Sequence, residues 1–345
     1  MEPPKMKKIV SIFSVIACTL AAPVSSYAAD EVNLYSARKE KLIKPLLDIF
    51  TEETGIKVNL VTAKAGPLLK RLKTEGINSP ADLFITTDAG RLHKANEAGV
   101  LQSIESDALN KAIPEEYRDP KGVWYGLSLR ARPIFYVKDK VKPEELSSYE
   151  ALADEKWKNR ICIRSSGNIY NQSLVASMIA HHGEEKTQAW ADKFVKNLAR
   201  KPKGGDRDQI KAAAAGECDI AIANTYYYGT MIHGKDEKQK KAADAVAIFW
   251  PNQKDRGAHV NISGIAMTKA AKNKVNAQKL MEFLVTEKSQ NWYAQVNYEY
   301  PVVASGDWSD TLKGWGIFKA DSLNLGKLGE LNKDASQLMD KAAWK

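Results

Sequence analysis

Strand-like and helix-like segments alternate along almost the whole of this chain, a pattern that commits a sequence to sheets covered by helices. EVNLYSA reads as a strand, and EKLIKPLLDIFTEETG after it as an amphipathic helix whose Leu42, Leu46, Ile49 and Phe50 share a face and which stops at Gly55. IKVNLVTA is the next strand, Pro67 stands early in the helix PLLKRLKTEG, and ADLFITT closes a β-α-β-α-β opening unit, with the helix RLHKANEAG after it. Past GVWYGLSLRARPIFYVKD the pattern restarts with WKNRICIRSS, a helix from about Gln172 to His182, the helices EKTQAWADKFVKNLAR and DRDQIKAAAAGE, and the strand CDIAIAN. AVAIFWPNQKDRGAHVNISGIAMTK then supplies two strand-like segments joined by a polar loop, followed by a single helix NAQKLMEFLVTEKSQNWYAQ and a polar, helical-looking tail.

Two α/β units with segments returning after the second imply two lobes joined by more than one crossing, and a length of 345 residues suits two domains better than one. A hinge of that kind puts a ligand cleft between the lobes. The expected crossings are SLRARPIFYV and WPNQKDRGAHVNIS. The expected boundaries are a first lobe at 29–130 with a return segment at 257–304, and a second lobe at 131–256 with the tail 305–345.

The first 28 residues stand outside this pattern. Lys5, Lys7 and Lys8 precede the apolar run IVSIFSVIACTLAA, and the small-residue stretch PVSSYAAD follows, the order of a signal peptide cleaved after Ala28 or Ala29. The rival is lipid anchoring, since VIAC ending at Cys18 loosely resembles a lipobox. Removing residues 1–28 takes away three lysines and Glu2, a net of two positive charges, and brings the formal charge from +9 to +7. The lysines are scattered among acidic residues with no arginine-rich aromatic platform, so nucleic acid is not an expected partner. No later run approaches about twenty uninterrupted apolar residues, so nothing else is expected to span a membrane. With Cys18 removed, Cys162 and Cys218 remain; in an oxidising compartment they most simply form one disulfide between two strands of one lobe, the alternative being two buried thiols.

A catalytic reading finds little to hold. None of the five histidines sits in an HExxH motif or accompanies a GxSxG elbow, and there is no phosphate-binding GxxxxGK[ST] loop or GxGxxG fingerprint. His181 and His182 are adjacent on a helix and point roughly 100° apart, which does not suit a metal pair. KGGDRDQ, with Asp206, reads as a loop capping the helix after it. A secreted metal-dependent hydrolase would need an open metal position and a general base. No Asp/His cluster supplies them, so no enzyme is expected.

The unusual feature is CDIAIANTYYYGTM, which puts Tyr226, Tyr227 and Tyr228 at the end of a strand. Where a strand turns into a helix, neighbouring side chains can project into one space, and strand ends are where open α/β sheets bind ligands. A phenol with a pKa of about 10 is a poor ligand for most cations near neutrality. A hard trivalent cation favours the phenolate strongly enough to strip the proton, and anionic oxygen donors suit Fe(III) where imidazole and thiolate suit Zn or Cu. The cluster thus points to ferric iron, or else to an aromatic edge with exposed hydroxyls.

Many blocks in order, among them NLYSAR, EGINSPADLFITTD, YGLSLRARPIFY, RICIRSSGNIYNQS, ANTYYYGTM, HVNISGIAM and YEYPV, make the mature chain resemble the periplasmic ferric-ion-binding proteins of bacterial iron ABC transporters. The resemblance implies a two-lobed, hinged α/β periplasmic binding protein fold of type II that closes on Fe(III) and hands it to an inner-membrane ABC permease, as a monomer in the periplasm. It implies Tyr226, Tyr227 and Tyr170 as metal ligands, with Tyr228 packing. This chain departs from the family pattern in the first lobe: ARKEK puts Lys39 and Glu40 where members often carry His or Tyr ligands, and Thr87–Asp88 stands where another subset has Glu. That is similar to the subset using three tyrosines and a synergistic anion, carbonate or bicarbonate, with Arg38 and Arg130 as the anion-holding arginines. A planar guanidinium binds a planar oxyanion through parallel hydrogen bonds. Arg132 is the substitute should Arg130 lie on the surface, and Glu40 an alternative direct ligand. Three phenolates would neutralise the ion and two arginines the carbonate dianion. The alternative function is a hinged carrier of a small anion or organic ligand such as phosphate, thiamine or a polyamine.

Overall fold

A computed structural model of the chain describes residues 1–2, 30–303 and 307–345; apart from Met1 and Glu2, the expected signal peptide lies outside the described residues. The chain opens with β1 (Glu31–Ser36), α1 (Glu40–Thr54), β2 (Lys57–Thr62), α2 (Ala65–Glu75), β3 (Leu83–Thr87), α3 (Ala89–Glu97), β4 (Leu101–Gln102), α4 (Asp107–Ala112) and β5 (Tyr125–Ala131). It continues with β6 (Ile134–Val137), β7 (Ile161–Cys162), α5 (Ile169–His182), α6 (Glu184–Phe194), α7 (Asp206–Ala214), β8 (Ile220–Ile222), α8 (Thr225–Ile232), α9 (Glu237–Asp244) and β9 (Val246–Phe249). It then returns as β10 (Val260–Thr268), α10 (Lys274–Phe283), α11 (Glu287–Val296) and β11 (Tyr300–Pro301), and finishes with α12 (Asp310–Gly314), α13 (Gly326–Glu330) and α14 (Asn332–Lys341).

Among the described residues the strands make two sheets, one of seven strands in the order β11-β5-β10-β3-β1-β2 with β4 beside β10, and one of four in the order β7-β8-β6-β9. In the first, β1 runs parallel to β2 and β3, while β10 is antiparallel to both β3 and β5. The returning segment therefore lies inside the first sheet, and β10 is buried along its whole length, as a strand covered on both faces must be. In the second sheet β6 is antiparallel to β8 and β9, and β7 is parallel to β8.

Each sheet anchors one lobe. The amphipathic pattern of α1 does what its spacing demands, burying Ile43, Leu46, Leu47 and Phe50 and ending at Gly55, which holds the left-handed φ of 73°. The lobes are joined where β5 passes to β6 through Arg132 and Pro133, and where β9 passes to β10. The two crossings touch: the Arg132 N–H donates to the His259 carbonyl at 3.0 Å. In the tail, α13 packs on α3 of the first lobe and α5 of the second, and α14 packs on α5 and α6.

Three local readings change. WKNRICIRSS yields only the two-residue β7. The helix expected from Asn276 onward is two helices, broken at Leu284–Thr286, where the Thr286 hydroxyl and the Ser289 hydroxyl both donate to the Phe283 carbonyl at 2.7 Å and end α10. The helix expected near Gln172 begins three residues earlier, at Ile169, with Asn168 accepting the Tyr170 N–H as its cap. Cys162 and Cys218 form the disulfide, with Cα atoms 5.9 Å apart, joining β7 to the turn before β8.

Candidate functional site

β8 ends at Ile222 and α8 begins at Thr225, so Tyr226, Tyr227 and Tyr228 occupy the first turn of a helix. Successive helical positions are rotated by roughly 100°, which lets two of three neighbours face the cleft while the third turns away. Tyr226 and Tyr227 are half-buried with ring centroids 4.1 Å apart. Tyr228 turns into the second lobe, packs on Phe135 at 5.0 Å and donates to the carbonyls of Ala243 and Val246. Tyr170, in the first turn of α5, brings its hydroxyl within 3.4 Å of that of Tyr226.

These phenols open on a cleft of ≈ 640 Å³ that is also lined by Arg38 and Arg130. All five residues singled out from the sequence thus line one cavity. Glu40 is exposed and does not line it; the neighbouring Lys39 and Lys41 do. A larger hollow of ≈ 790 Å³ on the second lobe, between Glu150 and Asn197, has no phenol in its wall. Among the described residues no group of three or more His, Cys, Asp or Glu side chains is placed to hold a metal ion. His181 and His182 pair separately with Asp321 and Glu150.

One residue of the site was not read from the sequence. Glu299, in the turn before β11, accepts from Arg38 Nη1 at 3.0 Å and lies 3.4 Å from Arg130 Nη2, while Ser263 also accepts from both arginines. All three charged side chains are almost fully buried, Arg38 at 5 %, Arg130 at 1 % and Glu299 at 3 % exposure. With Glu299 counted, the arginine pair carries a net charge of one rather than two, which revises the charge balance drawn from the sequence. Arg38 spends Nη1 on these contacts, whereas its Nε and Nη2 have no protein partner. Those two atoms form the edge of a guanidinium that grips an oxyanion in bidentate fashion.

Asp206 opens α7 but does not cap it: Gly205 is the cap residue, and its N–H donates to Asp208 Oδ2 at 2.7 Å. Asp206 is buried, accepts from Arg132 and Arg164 at 3.0 Å each, and also accepts the Asn224 N–H at 2.7 Å. Since Arg130 is itself buried in the cleft wall, Arg132 is not its substitute; it faces Asp206 instead.

A profile of the bacterial extracellular solute-binding proteins matches residues 78–314. The chain belongs to this family. Iron uptake protein A1 of Synechocystis is 49 % identical over 326 residues, covering 94 % of this chain and 91 % of that protein. The structure of Trichodesmium FutA (IdiA) in complex with iron and citrate superposes with a TM-score of 0.90 at 50 % identity, covering 91 % of this chain and 100 % of that one. Mannheimia haemolytica ferric iron-binding protein A, in an open conformation, superposes at 0.87 with 45 % identity, covering 92 % and 99 %. The fold is therefore the two-lobed α/β fold of such binding proteins.

The electrostatics of this solute-binding protein's cleft separate its three phenols. Burial, then the nearby phenols, push Tyr226 well above the usual tyrosine value, and burial with Tyr170 and Asp206 nearby pushes Tyr227 up to about 12. Burial also acts against ionising Tyr170, but the charge of Arg130, a hydrogen bond from Tyr226 and the charge of Arg91 outweigh it and bring Tyr170 below its usual value. Guanidinium carbons stand 5.2 Å from the ring centres of Tyr226 (Arg130) and Tyr227 (Arg207). Arg91, Arg132 and Arg164 surround Tyr170 at 5.9, 5.9 and 5.7 Å. Positive charge on this scale favours the phenolate form of these side chains. Glu299 is buried, which alone would raise it, yet Arg38 and Arg130 hold it below the usual carboxylate value.

Proposed function

We propose that the chain is an exported, non-catalytic carrier of ferric iron that works as a monomer in the periplasm and delivers its ion to an inner-membrane ABC permease. Tyr170, Tyr226 and Tyr227 ligate the ion as phenolates. The observation that carries this reading is the meeting of phenols from the first turns of α5 and α8, with hydroxyls of Tyr170 and Tyr226 3.4 Å apart, in a cleft ringed by arginines and without an imidazole–carboxylate cluster among the described residues. The iron named for the relatives above supports the choice of metal.

Carbonate or bicarbonate is the companion anion in this reading. The unpartnered Nε and Nη2 edge of Arg38, with Arg130 beside it, would hold the anion. When bound, the anion supplies oxygen donors at iron positions the tyrosines leave open. The net single charge of the Arg38–Arg130–Glu299 group suits a monoanion better than a dianion, unless arginines nearer the phenols share the load. Ligand-driven closure of the lobes would then present the loaded form to the permease as a shift in population.

The test is the visible spectrum of the mature protein on addition of Fe(III) and bicarbonate, alongside a Tyr226→Phe plus Tyr227→Phe variant. A broad phenolate-to-iron band, lost in the variant and altered when bicarbonate is withheld, is the expected result. A colourless wild-type protein would rule the reading out and turn attention to small anions and organic ligands.

A further inference from the structure

Arg132 is 1 % exposed and lies in the crossing between β5 and β6. Its backbone is tied to both crossings: its N–H donates to the His259 carbonyl, and its carbonyl accepts from the Tyr149 hydroxyl at 2.8 Å, which in turn accepts the His259 N–H at 3.2 Å. Its guanidinium reaches forward into the second lobe. Nη1 donates to Asn224 Oδ1 at 2.8 Å and to Asp206 at 3.0 Å, and Nη2 donates to Asn171 Oδ1 at 2.6 Å.

The two asparagines are what make this arrangement informative. Asn224 immediately precedes α8, the helix of Tyr226 and Tyr227, and Asn171 follows Tyr170 in α5. The amide of Asn171 is oriented by its own Nδ2, which donates to the carbonyls of Arg164 and Ser165 and so turns its oxygen to Arg132. One planar group thus holds the starts of both phenol-bearing helices, and it does so from the crossing on which the lobes are joined. A lysine at this position could keep the charge beside Asp206 but has no rigid fork to span two acceptors.

We propose that Arg132 is the positioning residue of the iron site: by bridging Asn171 and Asn224 from the crossing between β5 and β6, it sets the separation between the phenol on α5 and those on α8. It also makes that separation respond to the angle between the lobes. The proposal rests on the reading of the three tyrosines as iron ligands. Arg132 touches neither ion nor anion in this scheme and acts through the helices it holds.

The experiment compares wild type with Arg132→Lys, Asn171→Ala and Asn224→Ala, each loaded with Fe(III) in bicarbonate. It reads the energy and per-iron intensity of the phenolate band and the rate of iron loss to a competing chelator. The expected result is a shifted, weaker band and iron loss faster by about tenfold to a hundredfold, the usual range for groups that orient metal ligands. The asparagine variants each remove one arm without unpairing a buried charge, so they decide the matter if Arg132→Lys fails to fold. A simple packing role would lower thermal stability while leaving band energy and loss rate as in wild type. That outcome in all the variants that fold overturns the role given to Arg132. No band in wild type overturns the ligand reading itself, and the Arg132 proposal with it.

Discussion

Loading a ferric ion onto phenols must release protons, and the number released as pH varies can be worked from the three environments described above. Tyr226 and Tyr227 are held above the usual tyrosine value, Tyr227 at about 12, so both stay protonated in the empty protein across the neutral range. Ionising either phenol near neutrality is therefore unfavourable, and the ion must offset that cost. Each of these phenols contributes one full proton to the slope of log affinity against pH. Tyr170, lowered by its arginine surroundings, contributes one proton at the acid end and progressively less as pH approaches its own value. The slope should therefore be about three at the acid end, a thousandfold loss of affinity or about 4 kcal/mol per pH unit of acidification, and ease toward two as pH rises through the lowered value of Tyr170. The assay is competition against a chelator of known pH dependence, in constant bicarbonate, for wild type and Tyr170→Phe. The anion's own proton, if it binds as carbonate, adds equally to both proteins, so the difference between their slopes isolates Tyr170. That difference should fall from one to zero with rising pH. A wild-type slope below two throughout, or no difference between the proteins, would refute the three-phenol scheme.

Glu299→Gln leaves Arg38 and Arg130 buried without their carboxylate and should cost roughly 3 to 5 kcal/mol of stability, read as a lowered urea midpoint at unchanged m-value. Because folded Glu299 titrates below its unfolded value, its contribution is complete above the ordinary glutamate range and is lost as pH falls through the lowered value; an unchanged midpoint near neutrality would count against this. Replacing Cys162 and Cys218 by alanine opens a loop with a sequence separation of 56 and should cost about 4 kcal/mol by loop entropy, again measured by denaturant titration; a loss near zero would contradict it. A Cβ at Gly229 would stand 2.6 Å from Tyr298 Cβ, a contact between α8 and the turn after α11. Gly229→Ala should therefore push the lobes apart at the cleft, giving a larger radius of gyration by X-ray scattering in the iron-loaded state and faster iron loss; unchanged values would mean the helix absorbs the clash.

The fold was legible in the sequence where local pattern carries it. The alternation of apolar periods specifies the strands and helices, and the returning strand-like segments around Val260 point to two crossings. The neighbours Tyr226 and Tyr227 stood out because strand-end aromatics in a row are a local signal. Tyr170 was not visible by that route, since nothing in its own segment marks it; it came from the resemblance. Glu299 was missed because its partner Arg38 is 261 residues away, and a buried ion pair of that separation leaves no mark in local sequence. Asp206 was read correctly as a helix-start residue, but its partners Arg132 and Arg164 are 74 and 42 residues distant. The break between α10 and α11 escaped because Leu284 and Val285 continue the apolar rhythm while the hydroxyls of Thr286 and Ser289 end the helix.

The place of β10 has a consequence for how the chain comes to be folded. This strand separates β3 from β5 in the first sheet, yet it is made only after every strand of the second. A chain emerging N-terminus first can therefore finish its second sheet while the first still has an open seam, with the edges of β3 and β5 exposed to pairing with the wrong strand. Closing that seam joins segments far apart in sequence, the slow kind of contact. In refolding followed by pulsed hydrogen exchange, β8 should gain protection before β3, and the interval between the two is when the half-made protein most needs a chaperone.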